Sequence, residues 1–484
     1  MLPSSLGAYF WAGLDIPNAL VPGLIRLQQA GFVSTTRIRL TPAVRPLSPS
    51  DRSEYRFDTQ WETEVPTGVP FLPAAIRSTQ YQQAFLLPGL QTIVLQTYDS
   101  ASFESHRLTD PDWLKANAEL VRSEYRDMTI ALYETMKGNG KRFIISNWET
   151  DNEIYAEGFT PQKSDTVLRG LTEWFRLRQE GIRQGRDVAG TNGWGGIEVN
   201  DAIEFNSLYF RKEFGSCTQN GYVGDTLHNI IKDIKPDYAS YSAWESTGRG
   251  RLFDDLITIK QFLRSETNNH TQLMIGELGV PGHSRPSFPS IEDIHTKTWR
   301  YIQLAHAAIR AGITIIILWK AWDNFGITEG EGLLNWDGSE RQVLKDLFAS
   351  FEATEMITGV VDQYDLYGWL APDNNRYFEL YGQFPDAHEG NITQPGWSGN
   401  YSAIAAFSDG QVISFDTYGE TQSQINITMK PHNTHVRWFL LSIRRKHDGL
   451  ISREFGPVRL NRLPPPPTNC ENGIIQRYWD HWGT

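Results

Sequence analysis

Between about residue 8 and residue 355, short apolar runs alternate with longer stretches whose apolar residues recur every three or four positions. The short runs predict eight strands: Tyr9 to Leu14, Thr35 to Leu40, Thr92 to Gln96, Arg142 to Trp148, Gly196 to Asn200, Tyr238 to Ser242, Gln272 to Gly276 and Ile313 to Trp319. The longer stretches predict helices near Asn18 to Ala30, Ala74 to Leu87, Asp112 to Lys137, Ser164 to Arg183, Leu252 to Arg264, Ile291 to Ala311 and Arg341 to Phe351. Apolar strands separated by amphipathic helices belong in a parallel sheet covered by helices. Eight such units in order predict an α/β fold, a (β/α)8 TIM barrel over residues 1–355. A doubly wound open sheet is the alternative, and the first strand lacks the Gly-rich phosphate loop that would favour it.

From about Thr358 the helical period disappears. Short alternating segments replace it at Tyr377 to Tyr381, Tyr401 to Phe407, Val412 to Tyr418, Ile425 to Met429 and Val436 to Ser442. They predict a small antiparallel β-sandwich over 356–463. Pro464 to Pro467 then opens a Pro-rich tail over 464–484, and its aromatic end, Tyr478 to Trp482, is a candidate for docking on the barrel.

Composition narrows the function. A net charge of −12 with no dense Lys/Arg run argues against a nucleic-acid partner and suits an uncharged ligand. No apolar run reaches bilayer-spanning length, so no membrane partner is expected. The start, Met1 to Ser5, lacks a secretory signal, which implies an intracellular protein or a signal already removed. Sequons at Asn269, Asn391, Asn400 and Asn426 hint weakly at secretion. Cys217 and Cys470 form no disulfide framework or metal-thiolate site; they are read as two free thiols, with pairing as the alternative. His228, His283 and His295 lack metal-ligand spacing, so neither metal nor cofactor is expected. Sixteen Trp residues suit stacking on sugar faces, although most of them should simply fill the core.

Two strings carry the candidate chemistry. Asn147-Trp148-Glu149 closes the run Phe143-Ile144-Ile145, and Gly276-Glu277-Leu278-Gly279 closes Leu273-Met274-Ile275. Each sets a glutamate where a predicted strand ends, and barrel active sites lie at the carboxyl ends of the strands. Two facing carboxylates are what glycosidic bond cleavage requires. Arg37, Arg39, Asp99, Tyr241, Trp244, Trp319, Trp322 and Asp323 fall near the same rim. Each has a structural alternative: the arginines could pair with acids inside the barrel, Tyr241 and the tryptophans could be core, and the aspartates could cap loops.

At these strings the chain resembles the retaining glycoside hydrolases of the large (β/α)8 clan with catalytic glutamates on strands four and seven. It is similar too to a further Asn-Trp-Glu family of that clan, to which no substrate can be assigned. The resemblance implies Glu277 as nucleophile, Tyr241 as the tyrosine that holds it, Trp319 as a sugar floor, and Arg37 or Arg39 as the strand-two arginine. Asn147, Trp148, Trp244 and Trp322 complete the expected substrate-binding set, with Arg39 among them.

The clan sets Asn directly before its acid/base Glu, as in Asn152-Glu153, whereas Asn147 and Glu149 are two apart. Strand length favours Glu149, since Glu153 would require a strand of about eleven residues. Period-two alternation also puts Phe143, Ile145, Asn147 and Glu149 on one face. The expected activity is retaining hydrolysis of an oligo- or polysaccharide. A non-catalytic carbohydrate-binding barrel is the alternative, and a metal-dependent barrel hydrolase is disfavoured because strand one shows no His-x-His.

Overall fold

A computed structural model of the chain describes residues 2–10, 20–41, 69–156, 161–208, 226–248, 252–279, most of 301–351, and seven strands between 367 and 459. Several expected features lie outside these residues: most of the Pro42 to Leu72 loop, the Pro281 to Ser290 loop, His283, His295, Asp323, Cys217, Cys470 and the tail 464–484.

Eight strands close into a parallel barrel in sequence order. They are β1 (Leu6–Phe10), β2 (Thr35–Leu40), β3 (Thr92–Thr97), β4 (Arg142–Ser146), β5 (Glu198–Phe205), β6 (Tyr238–Ser242), β7 (Gln272–Leu278) and β8 (Ile316–Leu318). The last strand pairs with the first, with Leu6 opposite Ile316. The expected α/β barrel is therefore present. β1 begins three residues earlier than its pattern suggested, and β5 runs five residues further, to Phe205.

Strand alternation divides the core into two shells. One face of each strand joins the helices in a large outer cluster that includes Ile38, Phe143, Ile145, Ile203, Tyr241 and Leu278. The other face fills the barrel with Tyr9, Val94, Ile144, Ala202, Tyr238, Met274, Ile315 and Ile317, joined by Trp244 and Trp319. A filled interior confines function to the strand ends.

The helix expected near Ala74 breaks at Ser78 into Phe71–Arg77 and Thr79–Phe85. The long one near Asp112 breaks at Asn117 into Pro111–Ala116 and Ala118–Met136. Among the described residues no helix is long and apolar enough to cross a membrane.

Beyond the barrel, β9 (Tyr367–Leu370), β10 (Phe378–Gln383) and β13 (Gln424–Met429) form one antiparallel sheet, in the order β13-β10-β9. β11 (Tyr401–Phe407), β12 (Val412–Asp416), β14 (Trp438–Arg445) and β15 (Phe455–Arg459) form another, in the order β12-β11-β14-β15. The antiparallel texture read after residue 356 is thus present.

A buried carboxylate ties the helical layer to the barrel mouth. Glu124, on Ala118–Met136, accepts hydrogen bonds from the Leu72 N–H at 3.0 Å, the Ser100 N–H at 2.9 Å and the Ser100 hydroxyl at 2.8 Å. Burial nevertheless dominates and pushes its pKa up to about 7. The folded state thus holds a proton that the unfolded chain gives up nearer pH 4.5. That stabilisation is complete below the unfolded value and is lost as pH rises through about 7, on the order of 3 kcal/mol. Urea denaturation should therefore show stability falling from pH 5 to pH 8, and Glu124→Gln should flatten the slope. An unchanged slope in the variant would contradict the assignment.

Candidate active site

The site grows from Arg37, which points into the barrel from β2 and is fully buried. Its Nη1 donates to Glu204 Oε2 at 2.6 Å and its Nη2 to Glu204 Oε1 at 3.0 Å, a bidentate pair with β5. The same nitrogens donate to the Gly276 carbonyl at 2.9 Å, the Asn147 carbonyl at 3.0 Å and Gln96 Oε1 at 3.1 Å. The guanidinium lies over the Tyr9 ring at 4.4 Å. Burial alone would lower the Arg37 pKa; the Glu204, Tyr9 and Glu277 charges and the Glu204 hydrogen bonds together outweigh it, so the group is held more firmly protonated than usual.

Glu277 reaches the interior through a β-bulge. Tyr241 pairs with Ile275, but the next residue, Ser242, pairs with Glu277, so Gly276 is the extra residue in β7. The bulge re-aims Glu277 inward, as bulges at barrel rims do. The flanking glycines are spaces for the site. A Cβ on Gly276 would lie 2.0 Å from Glu204 Oε2 and 2.2 Å from Ser240 Oγ. A Cβ on Gly279 would lie 2.3 Å from the Trp244 ring.

Glu277 Oε2 accepts from Trp244 Nε1 at 3.1 Å, and Arg37 Nη1 stands 3.5 Å from its Oε1. Burial raises its pKa well above the usual carboxylate value, the Glu204 charge raises it further, Arg37 opposes this, and the Glu149 charge adds to the rise.

Glu149 arrives by a route other than the one expected. Phe143 and Ile145 face the outer helical shell, and Ile144 faces the barrel, so alternation along β4 does not deliver Glu149 inward. Instead β4 ends at Ser146 and the chain turns, leaving Glu149 just before the short helix Thr150–Ala156. Its Oε1 accepts from Ser242 Oγ at 2.6 Å, and its Oε2 accepts from Asn152 at 2.6 Å and Asn206 at 3.3 Å. Ser242 Oγ also lies 3.2 Å from Glu277 Oε2, so one hydroxyl touches both carboxylates.

Other expected residues are placed as follows. Trp244 and Trp319 meet edge-on at 6.2 Å beside Glu277, and Trp319 also meets Tyr9 edge-on at 5.2 Å. Trp148 is the exposed aromatic at the β4 end, 38% accessible. Glu153 lies one turn beyond Glu149, near enough for its charge to add to the burial that raises the Tyr98 pKa. Asn147 is buried and committed to scaffolding: its Oδ1 accepts from the Glu204 N–H at 3.0 Å and its Nδ2 donates to Thr150 Oγ1 at 2.7 Å.

Arg39 is half-buried on the Arg37 face and donates to Thr41 Oγ1 at 2.7 Å, so Arg37 is the arginine brought to the carboxylates. Tyr241 is not brought to the site: it stacks on Phe205 in the outer shell at 4.9 Å and shares a 2.6 Å hydrogen bond with Ser246. Trp322 is likewise in the outer shell, edge-on to Phe10 at 4.9 Å. Asp99 caps the helix Ser100–Glu104 through the Ser102 N–H and accepts from Trp174 Nε1 at 2.8 Å.

Glu204 and Ser242 were missed. The polar pair Asn200-Asp201 ended β5 too early in the pattern reading, although Ala202 and Glu204 keep the inward alternation. Ser242 was hidden by parity, because Tyr-Ala-Ser-Tyr-Ser offers no apolar contrast between its two faces.

No protein-family model matches the chain, and no curated protein matches it. Solved structures do match. An endo-beta-1,4-mannanase from Thermotoga petrophila is 10% identical with a TM-score of 0.42, over 95% of this chain and 98% of its own. A double mutant of a Cellulomonas fimi endo-beta-1,4-mannanase is 12% identical with a TM-score of 0.41, over 93% of both chains. A beta-galactosidase from Marinomonas ef1 is 11% identical with a TM-score of 0.41, over 73% of this chain and 60% of its own. The expected resemblance to barrel glycoside hydrolases is met at the level of the eight-stranded barrel. The chemistry rests on the side chains.

Substitution should separate frame from site. Gly276→Ala should cost about 1–3 kcal/mol in urea denaturation through its clash with Glu204. Gly190→Ala, where a Cβ meets nothing within 4 Å, should cost nothing. Arg37→Met, which strands Glu204 in the interior, should cost about 3–5 kcal/mol. Wild-type stability in either Gly276→Ala or Arg37→Met would contradict this construction.

Proposed function

We propose that the protein is a retaining glycoside hydrolase acting on an oligo- or polysaccharide, with Glu277 as nucleophile and Glu149 as acid/base. The observation that carries the reading is the shared Ser242 hydroxyl. Contacts of 2.6 and 3.2 Å from one oxygen keep the nearest carboxylate oxygens within about 6 Å of each other, close enough for both groups to act on one glycosidic bond.

In this mechanism protonated Glu149 gives its proton to the glycosidic oxygen as the bond to the anomeric carbon breaks. Ionised Glu277 attacks that carbon and forms a glycosyl ester. Glu149, now ionised, takes a proton from water, whose oxygen displaces Glu277 and releases the sugar with its configuration retained. Arg37 and Trp244 favour the ionised form of Glu277, and the Arg37–Glu204 pair fixes their geometry. Trp148, the exposed aromatic at the strand ends, offers a ring face that suits the apolar face of a sugar, and the buried Trp244 and Trp319 pack beside Glu277 beneath the mouth.

The test is turnover of a panel of aryl glycosides and polysaccharides. Glu149→Gln and Glu277→Gln should each lose at least about 10²–10⁴-fold activity while still binding sugar. Azide should rescue the two alanine variants differently: Glu149→Ala gives a glycosyl azide of retained configuration, and Glu277→Ala one of inverted configuration. Wild-type turnover in either Gln variant would refute the assignment.

A further inference from the structure

The carboxylate pair has a problem of proton placement. Among the described residues Glu149 accepts hydrogen bonds from Ser242, Asn152 and Asn206, each of which favours its ionised form. Glu277 is buried beside Glu204 and Glu149, and both burial and those charges favour its neutral form. The resting arrangement thus keeps the proton on residue 277, whereas hydrolysis needs it on residue 149. Trp244 Nε1 and the asparagine NH2 groups that reach the carboxylates only donate and cannot pass a proton between the two. Among the described residues, the group that touches both is the Ser242 hydroxyl, fully buried, 2.6 Å from Glu149 Oε1 and 3.2 Å from Glu277 Oε2.

We infer that Ser242 is the proton bridge of the pair, a positioning residue that moves the shared proton from Glu277 to Glu149 as substrate enters. Glu277 O–H gives its proton to Ser242 Oγ, and Ser242 passes its own hydroxyl proton to Glu149 Oε1. One O–H bond breaks and one forms at the serine, so the hydroxyl is regenerated. The pair keeps its charge, and Glu277 is left ionised for attack. The hydroxyl then donates back to Glu277 and accepts from protonated Glu149. A hydroxyl has one proton and two lone pairs, so it satisfies both partners only when exactly one of them is protonated. The bridge therefore stabilises the singly protonated pair against its doubly ionised and doubly protonated forms. It spreads the two macroscopic titration steps apart.

Among the described residues Tyr9, from β1, also feels the Glu277 charge, and the charged groups facing the pair are Arg37 and Glu204, from β2 and β5. They pair with each other and bias the pair without linking its members. Ser240, the inward serine two residues earlier, is committed to Glu204 Oε2 at 2.9 Å.

The inference rests on the proposed working roles of Glu149 and Glu277, so two readouts are needed. Carbon-13 NMR of the glutamate carboxyls, assigned with Glu149→Gln and Glu277→Gln, follows titration without turnover. The pH profile of kcat/KM on an aryl glycoside follows the pair at work.

Ser242→Ala should bring the two NMR titration steps closer by about one to two pH units. Its bell-shaped profile should narrow from both limbs, since ionised Glu277 loses a donor and neutral Glu149 loses an acceptor. Ser242→Thr, which keeps the hydroxyl, should restore the separation, and Ser242→Cys, nearly isosteric with a weaker donor, should fall between. An unchanged separation in Ser242→Ala, or in Ser242→Cys if the alanine variant does not fold, would overturn the bridge. If the wild type turns over no glycoside, the hydrolase reading fails, and the NMR titration still decides whether Ser242 couples the carboxyls.

Discussion

The Arg37 guanidinium lies inside the barrel with its two terminal nitrogens spread over β3, the end of β4, β5 and β7. Taking an arginine out of water costs several kcal/mol, and the cost is offset only by good geometry and a buried counterion. Glu204 supplies the counterion through two oxygens, and backbone carbonyls take up further donors. The arrangement allows little slack. Gly276 has no side chain because Glu204 occupies that space, and the bulge at the same glycine turns Glu277 toward the guanidinium. One electrostatic constraint thus fixes a strand register, a glycine and the direction of a carboxylate.

That constraint sets the charge balance of the site. Arg37 is largely neutralised by Glu204, so Glu149 and Glu277 face each other with only partial compensation. Two nearby buried carboxylates cannot both ionise cheaply, and a pair sharing one proton is the low-energy form. Acid/base catalysis exploits such a pair, because one member must give a proton while the other attacks. Ser242 lies where the sharing occurs, and Trp244 holds the Glu277 oxygen that faces it.

Much of this is legible in the amino-acid sequence. The eight strand–helix units and the two strand-end glutamates follow from apolar runs and their punctuation, which depend on local sequence. What escaped depends on buried charge and parity. Asn200-Asp201 looked like the end of a strand, yet Asp201 is buried against Arg178 at 2.9 Å and the strand continues to Glu204. Tyr241 is expected beside Glu277 through the family resemblance alone and lies instead in the outer shell, and Ser242 is hidden because Tyr-Ala-Ser-Tyr-Ser shows no apolar contrast between its two faces. Glu149 was found through a strand face that in fact packs on the helices; the turn after Ser146 delivers it. Local pattern reports which positions are buried, and only the tertiary pairing reports which buried polar groups meet.

The central claim is that Glu277 forms a covalent bond to the anomeric carbon while Glu149 manages the proton. A panel of 2-deoxy-2-fluoro glycosides with good leaving groups tests it most directly, because the fluorine slows hydrolysis of a glycosyl ester enough for mass spectrometry to locate it. The account predicts one fluoroglycosyl adduct, on the peptide that carries Glu277, formed faster with the sugar the enzyme prefers. An adduct on Glu149 would contradict it, as would turnover of the parent glycosides with no adduct and an inverted product.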